Sequence, residues 1–148
     1  MTEKKAKIII TSTVEELSDS GLAESSEKTE TKALGLLSEQ SGRLTLSYKE
    51  STEGGEVASE VIIEGDKITV RRTGAISSEF SFREGCEHKS LYSVGPYAFD
   101  AVILTKKIRG GLDLFGGSLS LFYDMTVGGA KKSVKMKIEV IVYDGYRA

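Results

Sequence analysis

The chain has no tryptophan, one proline, one cysteine and one histidine among its 148 residues. A single cysteine, Cys86, cannot close an internal disulfide, so burial and hydrogen bonding must hold the fold, as suits a reducing compartment such as the cytoplasm. Cys86 and His88 form a Cys-x-His pair, but a structural zinc site takes four ligands and no further Cys or His is present, so no metal is expected. The same scarcity removes the usual nucleophile, base and orienting-group schemes, because His88 is the only imidazole available to a Cys86 thiolate. No apolar run approaches the roughly 20 residues of a membrane-spanning helix. The stretch Ile8 to Ile10 is too short for a secretory core of about 7–15 residues. A cytoplasmic protein without a membrane partner is expected. Charge of one sign is also lacking: 20 basic and 22 acidic residues leave a net charge of -2, which does not by itself call for nucleic acid.

What the chain has in quantity is glycine, 16 residues, set among Thr, Ser, Val, Ile and Tyr, the balance of a chain that extends and turns often. Between Lys132 and Tyr143 the residues Val134, Met136, Ile138, Val140 and Val142 alternate with Lys135, Lys137 and Glu139, the period of a half-buried strand. From Ser118 to Val127, Leu119, Leu121, Tyr123, Met125 and Val127 alternate in the same way. Gly128-Gly129 supplies the positive φ that a tight hairpin between the two strands needs. Ile8, Ile10 and Val14, then Leu44, Leu46 and Tyr48, then Val61 and Ile63, continue the pattern, separated by Ser41-Gly42, Gly54-Gly55 and Gly65-Asp66. Ile68, Val70 and Arg72 share one face and Phe80 and Phe82 another, with Gly74 and Gly85 ending those runs. Val102, Ile103 and Leu104 are consecutive and apolar, as in a strand covered on both faces or one that changes partner.

These spacings predict one all-β domain over residues 1–148, a single antiparallel barrel of about 8–10 strands with little helix, since closure removes exposed edges. Met1 to Lys5 is expected to be loose. Leu17 to Lys28, with Ser18, Asp19, Ser20 and Gly21 ahead of Glu24 and Glu27, reads as a helical turn or a looping connection.

Three stretches, Arg72-Thr73-Gly74-Ala75, Phe82-Arg83-Glu84-Gly85 and Tyr123-Asp124-Met125-Thr126-Val127-Gly128, occur in an order that resembles the bacterial YwiB-like family of unknown function. The resemblance covers about Lys32 to Tyr143 and implies a calycin-like, lipocalin-style barrel in a small cytoplasmic protein, with no reaction attached. The family pattern carries aromatic residues after the glycine matching Gly35, where this chain has Leu36 and Leu37.

No constellation marks a catalytic site. Gly110-Gly111 and Gly116-Gly117 lack the Gly-Lys-Ser/Thr ending and following helix of a phosphate loop and are expected to bend strands. The acidic clusters at Glu15-Glu16 and Glu53 to Glu56 fall in turns, where solvation explains them. Arg72 stands apart, because alternation turns it into the barrel, where a guanidinium must find an anion or carbonyl groups. Tyr48, Tyr92 and Tyr123 also fall on inward faces, and His88 and Ser90 share the face of Tyr92. A few polar groups among apolar walls line small-ligand pockets. The leading expectation is therefore a non-enzymatic binder of a small acidic or amphipathic molecule, with Arg72 on the anion and Tyr48, Tyr92, Tyr123 and His88 around it. The competing use of Arg72 is to close one barrel end on backbone carbonyls or an aromatic ring. A second reading takes Lys106, Lys107, Arg109, Lys132, Lys135 and Lys137 as a basic outer face for nucleic acid or an acidic protein. A third is an enzyme without a recognisable motif. No cofactor is expected, and the chain is read as a monomer or homodimer.

Overall fold

The computed structural model describes residues 2–18 and 23–143. Ten antiparallel strands, β1 (Thr2–Leu17), β2 (Ala23–Gln40), β3 (Arg43–Thr52), β4 (Gly55–Glu64), β5 (Lys67–Gly74), β6 (Ile76–Phe82), β7 (Glu87–Val94), β8 (Tyr97–Asp113), β9 (Gly116–Val127) and β10 (Ala130–Val142), form a closed barrel. Each strand pairs with its neighbours in sequence, and β1 closes the ring against β10. No helix occurs among the described residues.

Alternation builds the core. Ile8, Leu37, Leu46, Val61, Phe82, Ile103, Leu121 and Ile138, one from each of eight strands, are almost wholly buried inside the ring. The β9–β10 hairpin turns on Gly128 and Gly129, both at positive φ (57° and 86°), which brings Val127 opposite Ala130 as the glycine pair implied. The glycines at 110–111 and 116–117 flank the β8–β9 turn.

Two segments differ from their sequence pattern, and a third answers to one of its two readings. Ala23 to Lys28 is strand rather than helix or loop, and residues 19–22 of that segment lie outside the described residues. Long pairing with β1 holds β2 extended there, while its side chains from Ser25 to Glu30 face solvent. Without a buried face it shows no apolar period. Thr2 to Lys5, read as loose, pair in register with Leu36 to Glu39. Val102 to Leu104 is not covered on both faces, since Ile103 points inward whereas Leu104 is exposed; it is where β8 leaves β7, whose ladder ends at Leu104, and runs on along β9 past a bulge between Thr105 and Lys107.

Three seams are incomplete. The β6–β7 ladder ends at Ser78–Tyr92, β7 meets β8 only as far as Leu104 although β8 runs on to Asp113, and β2 meets β3 only from Gly35 to Gln40. At Gly35 the two strands close so tightly that a Cβ would sit 2.1 Å from the Ser47 carbonyl oxygen.

Candidate functional site

One inward row crosses five adjacent strands and carries a polar group at every step. Tyr48 on β3 lies opposite Ser59 on β4, Ser59 opposite Arg72 on β5, Arg72 opposite Ser78 on β6, and Ser78 opposite Tyr92 on β7. The period of two delivers each of these residues to the inner face, and strand register aligns them. Ser59 donates from Oγ to Glu50 Oε1 at 3.4 Å.

Arg72 lies in the middle of this row without an anion. Its Nε is buried and lacks a hydrogen-bond partner, and no carboxylate pairs with it among the described residues. The nearby phenols do not supply one. Burial pushes Tyr48 up to about 12, opposed by the Arg72 charge, reinforced by Glu50 and again opposed by the bond with Ser59. Burial likewise pushes Tyr123 up to about 12 against the pull of Arg72. Both tyrosines are therefore neutral hydroxyls at physiological pH and neither serves Arg72 as a counter-ion, while the carboxylate of this face, Glu50, is engaged by Ser59.

Beside Arg72 lies a cavity of about 150 Å³. Val14, Val70, Phe80, Phe82, Met125, Val134 and Met136 make its apolar wall, with Ser12, Arg72, Ser78, Tyr92 and Tyr123 supplying the polar groups. Two ring pairs shape it: Phe80 stacks parallel to Tyr92 with centroids 6.2 Å apart, and Phe82 tilts against Tyr123 at 4.7 Å. A space of this size suits a body of about the volume of benzene.

Arg72, Tyr92 and Tyr123 thus come together at one cavity. Tyr48 stands two register steps away and reaches Arg72 through electrostatics. His88 does not line the cavity. Its Nε2 lies 3.2 Å from the Glu79 carbonyl oxygen, bridging β7 to β6 below the point where their ladder stops. Cys86 is exposed, and no cluster of metal-ligating residues occurs among the described residues. Ser59 and Ser78 were not singled out from sequence. Their signal was a small hydroxyl at an otherwise apolar inward position, between Val57 and Val61 and ahead of Phe80 and Phe82.

The basic residues divide into three places. Lys107, Phe122, Lys135, Thr13 and Lys28 form one row across the outer wall, and Arg109, Ser120, Lys137, Thr11 and Glu30 the next. Lys135 Nζ lies 5.4 Å from the centre of the Phe122 ring. Lys106 stands apart from these rows at the bulge, with its Nζ paired to Oδ2 of Asp124 at 3.2 Å on the same outer face of β9. Lys132 shares the alternation of Val134 and Met136, and so lies on the inner side at the barrel end, opposite Glu16 and Met125.

Comparison with known proteins agrees with this architecture. A family model described as "Domain of unknown function (DUF1934)" matches residues 11–139. The "Uncharacterized beta-barrel protein YwiB" of Bacillus subtilis (strain 168) is 28% identical over 103 residues, 70% of this chain and 71% of that protein. The crystal structure of the ywiB protein from Bacillus subtilis superposes with a TM-score of 0.77 at 25% identity, covering 93% of this chain and 92% of that one. The similarity read from the three sequence motifs is borne out.

Proposed function

Since the chain belongs to the DUF1934 family of domains of unknown function, the chemistry of its own interior has to supply a role, and we propose that the barrel binds a small organic acid without converting it. The observation that carries this reading is the buried Nε of Arg72, left without a partner beside a largely apolar cavity. An unpaired buried donor costs roughly 1–3 kcal/mol, a cost that a bound carboxylate would offset through a charge-assisted hydrogen bond. Ser78, Tyr92 and Tyr123 stand ready as neutral donors to the remaining lone pairs, and the ring pairs enclose the apolar body. The lipocalin-like use of a barrel interior for one small ligand fits this arrangement, and a cytoplasmic setting fits the exposed Cys86 thiol.

Titration calorimetry with a panel of small aliphatic and aromatic carboxylates, each beside its amide, tests the reading. Acids should bind and their amides should not, and Arg72→Met should weaken the acids by about a hundredfold or more. Equal binding of acid and amide, or affinity untouched by Arg72→Met, would sink it.

A second reading rests on the outer wall, where Lys107, Arg109, Lys135, Lys137 and Lys28 surround Phe122. Such a face suits phosphates, with one ring available for stacking. Binding of single-stranded RNA that falls steeply with salt and is lost in Lys135→Glu/Lys137→Glu would support it; no binding at low salt removes it.

A further inference from the structure

From Ala23 to Leu34 the β2 strand is paired along one edge with β1, while its other edge has no strand partner among the described residues, because β3 joins only at Gly35. That edge offers a row of backbone donors and acceptors, the usual template for another strand. No proline interrupts it, its ladder with β1 is regular from Ser25 onward, and Ser25 to Glu30 are exposed; the charges that guard it, Glu27, Lys28, Glu30 and Lys32, admit only a strand whose own charges match them. We infer that this edge pairs antiparallel with the same edge of a second copy, joining the two barrels through one continuous sheet.

The side chains select both the partner and the register. Two identical antiparallel strands related by a two-fold axis must place one residue opposite itself. On β2 the even residues Lys28, Glu30 and Lys32 face outward and the odd residues Thr29 and Thr31 inward, as the burial of Leu37 and its register with the inward face of β1 require. Centring on Thr29 uses the free edge almost symmetrically. It sets Lys28 opposite Glu30 twice, Ser26 opposite Lys32, Glu27 opposite Thr31 and Ser25 opposite Ala33, so every charge meets an opposite or neutral side chain. Centring on Lys28 or on Glu30 opposes like charges across the axis, as does centring on Glu27. Centring on Thr31 matches Glu30 with Lys32 but wastes the edge before Lys28. Lys28 has no ion pair within its own chain among the described residues, and cross-strand opposite charges of this kind stabilise pairing while like charges oppose it. Neither the cavity nor a ligand enters this inference.

Sedimentation velocity on the full chain tests it, with circular dichroism to confirm that each variant keeps its strands. The wild type should show a reversible monomer–dimer equilibrium. Lys28→Glu and Glu30→Lys should each weaken the dimer by about tenfold or more, and the double variant Lys28→Glu/Glu30→Lys, which exchanges the charges, should return to within about threefold of wild type. In a Cys86→Ser background, Thr29→Cys should cross-link two copies on mild oxidation and Thr31→Cys should not. A single monomer boundary across the soluble range, a dimer indifferent to both charge reversals, or cross-linking only through Thr31→Cys would each overturn it.

Discussion

Arg71 and Arg72 are adjacent in the chain and opposite in electrostatic setting. Arg71 points outward between two glutamates, with Nε to Glu79 Oε1 at 2.8 Å and an Nη to Glu60 Oε1 at 3.4 Å. Arg72 points inward and meets no carboxylate among the described residues. A half-exposed ion-pair network of this kind contributes little, whereas an unpaired buried donor is a standing cost. Arg71→Met should therefore lower stability by about 0.5–1 kcal/mol, less at high salt. Arg72→Met should raise it by about 1 kcal/mol in the absence of ligand. Urea denaturation measures both. A loss above about 2 kcal/mol at Arg72 would mean that the guanidinium braces the barrel.

The two buried phenols tie stability to alkaline pH. In the unfolded chain a tyrosine ionises near its ordinary value of 10, and in the fold Tyr48 and Tyr123 ionise near 12. Between these values the unfolded state has already released protons that the folded state retains. The contribution from burying neutral phenols is complete below pH 10 and is lost as pH rises through 12. Each phenol should account for roughly 2–3 kcal/mol of that loss. Absorbance of phenolate during alkaline titration should show a late-ionising fraction that shrinks in Tyr48→Phe and again in Tyr123→Phe. In Arg72→Met both late steps should move higher still, because the guanidinium favours the charged phenol. A titration without a late fraction contradicts the buried placement.

Much of this was legible in the sequence because burial writes itself as alternation. The period of two from Val134 to Val142 and from Leu119 to Val127, with Gly128-Gly129 between, was sufficient to imply a hairpin whose observed register follows from it. The same period turned Arg72 inward. It carried no information about the first half of β2, where a strand with two solvated faces has no apolar rhythm, and there polar residues read as a turn. Nor did the sequence of any single strand show that Tyr48, Ser59, Arg72, Ser78 and Tyr92 share one row, since that depends on registers across five strands. The lysines show the same limit. Lys106 and Lys107 are neighbours in sequence and strict alternation would put them on opposite faces, but the bulge leaves both outside, one paired to Asp124 and the other opposite Phe122.

Gly35 is the tightest point of the β2–β3 seam. A methyl group there would meet backbone at Ser47 and also the Ile8 side chain at 2.7 Å. The carbonyl cannot move without opening the ladder, so the cost is overpacking rather than backbone strain. Gly35→Ala should destabilise by about 2–3 kcal/mol and speed hydrogen exchange along Gly35 to Gln40, the whole stretch that joins β2 to β3. Unchanged exchange there would show that the seam tolerates a side chain.

Phe82 connects the core to the cavity. It is fully buried, packs against Tyr123, and belongs to the part of β6 that has lost its ladder with β7. Side-chain packing therefore holds this end of β6 where backbone bonds to β7 do not. Phe82→Ala should cost about 3–5 kcal/mol, the range for deleting a buried aromatic ring. Phe82→Leu keeps most of the volume and should cost about 1–2 kcal/mol. Because Phe82 lines the cavity, the leucine variant should also accept a bulkier acid than the wild type does, by roughly the difference between the two side chains. Denaturation of the two variants, followed by calorimetry of the leucine variant with a graded series of acids, separates the packing role from the pocket role. A stability loss with no change in the preferred acid size would assign Phe82 to the core alone.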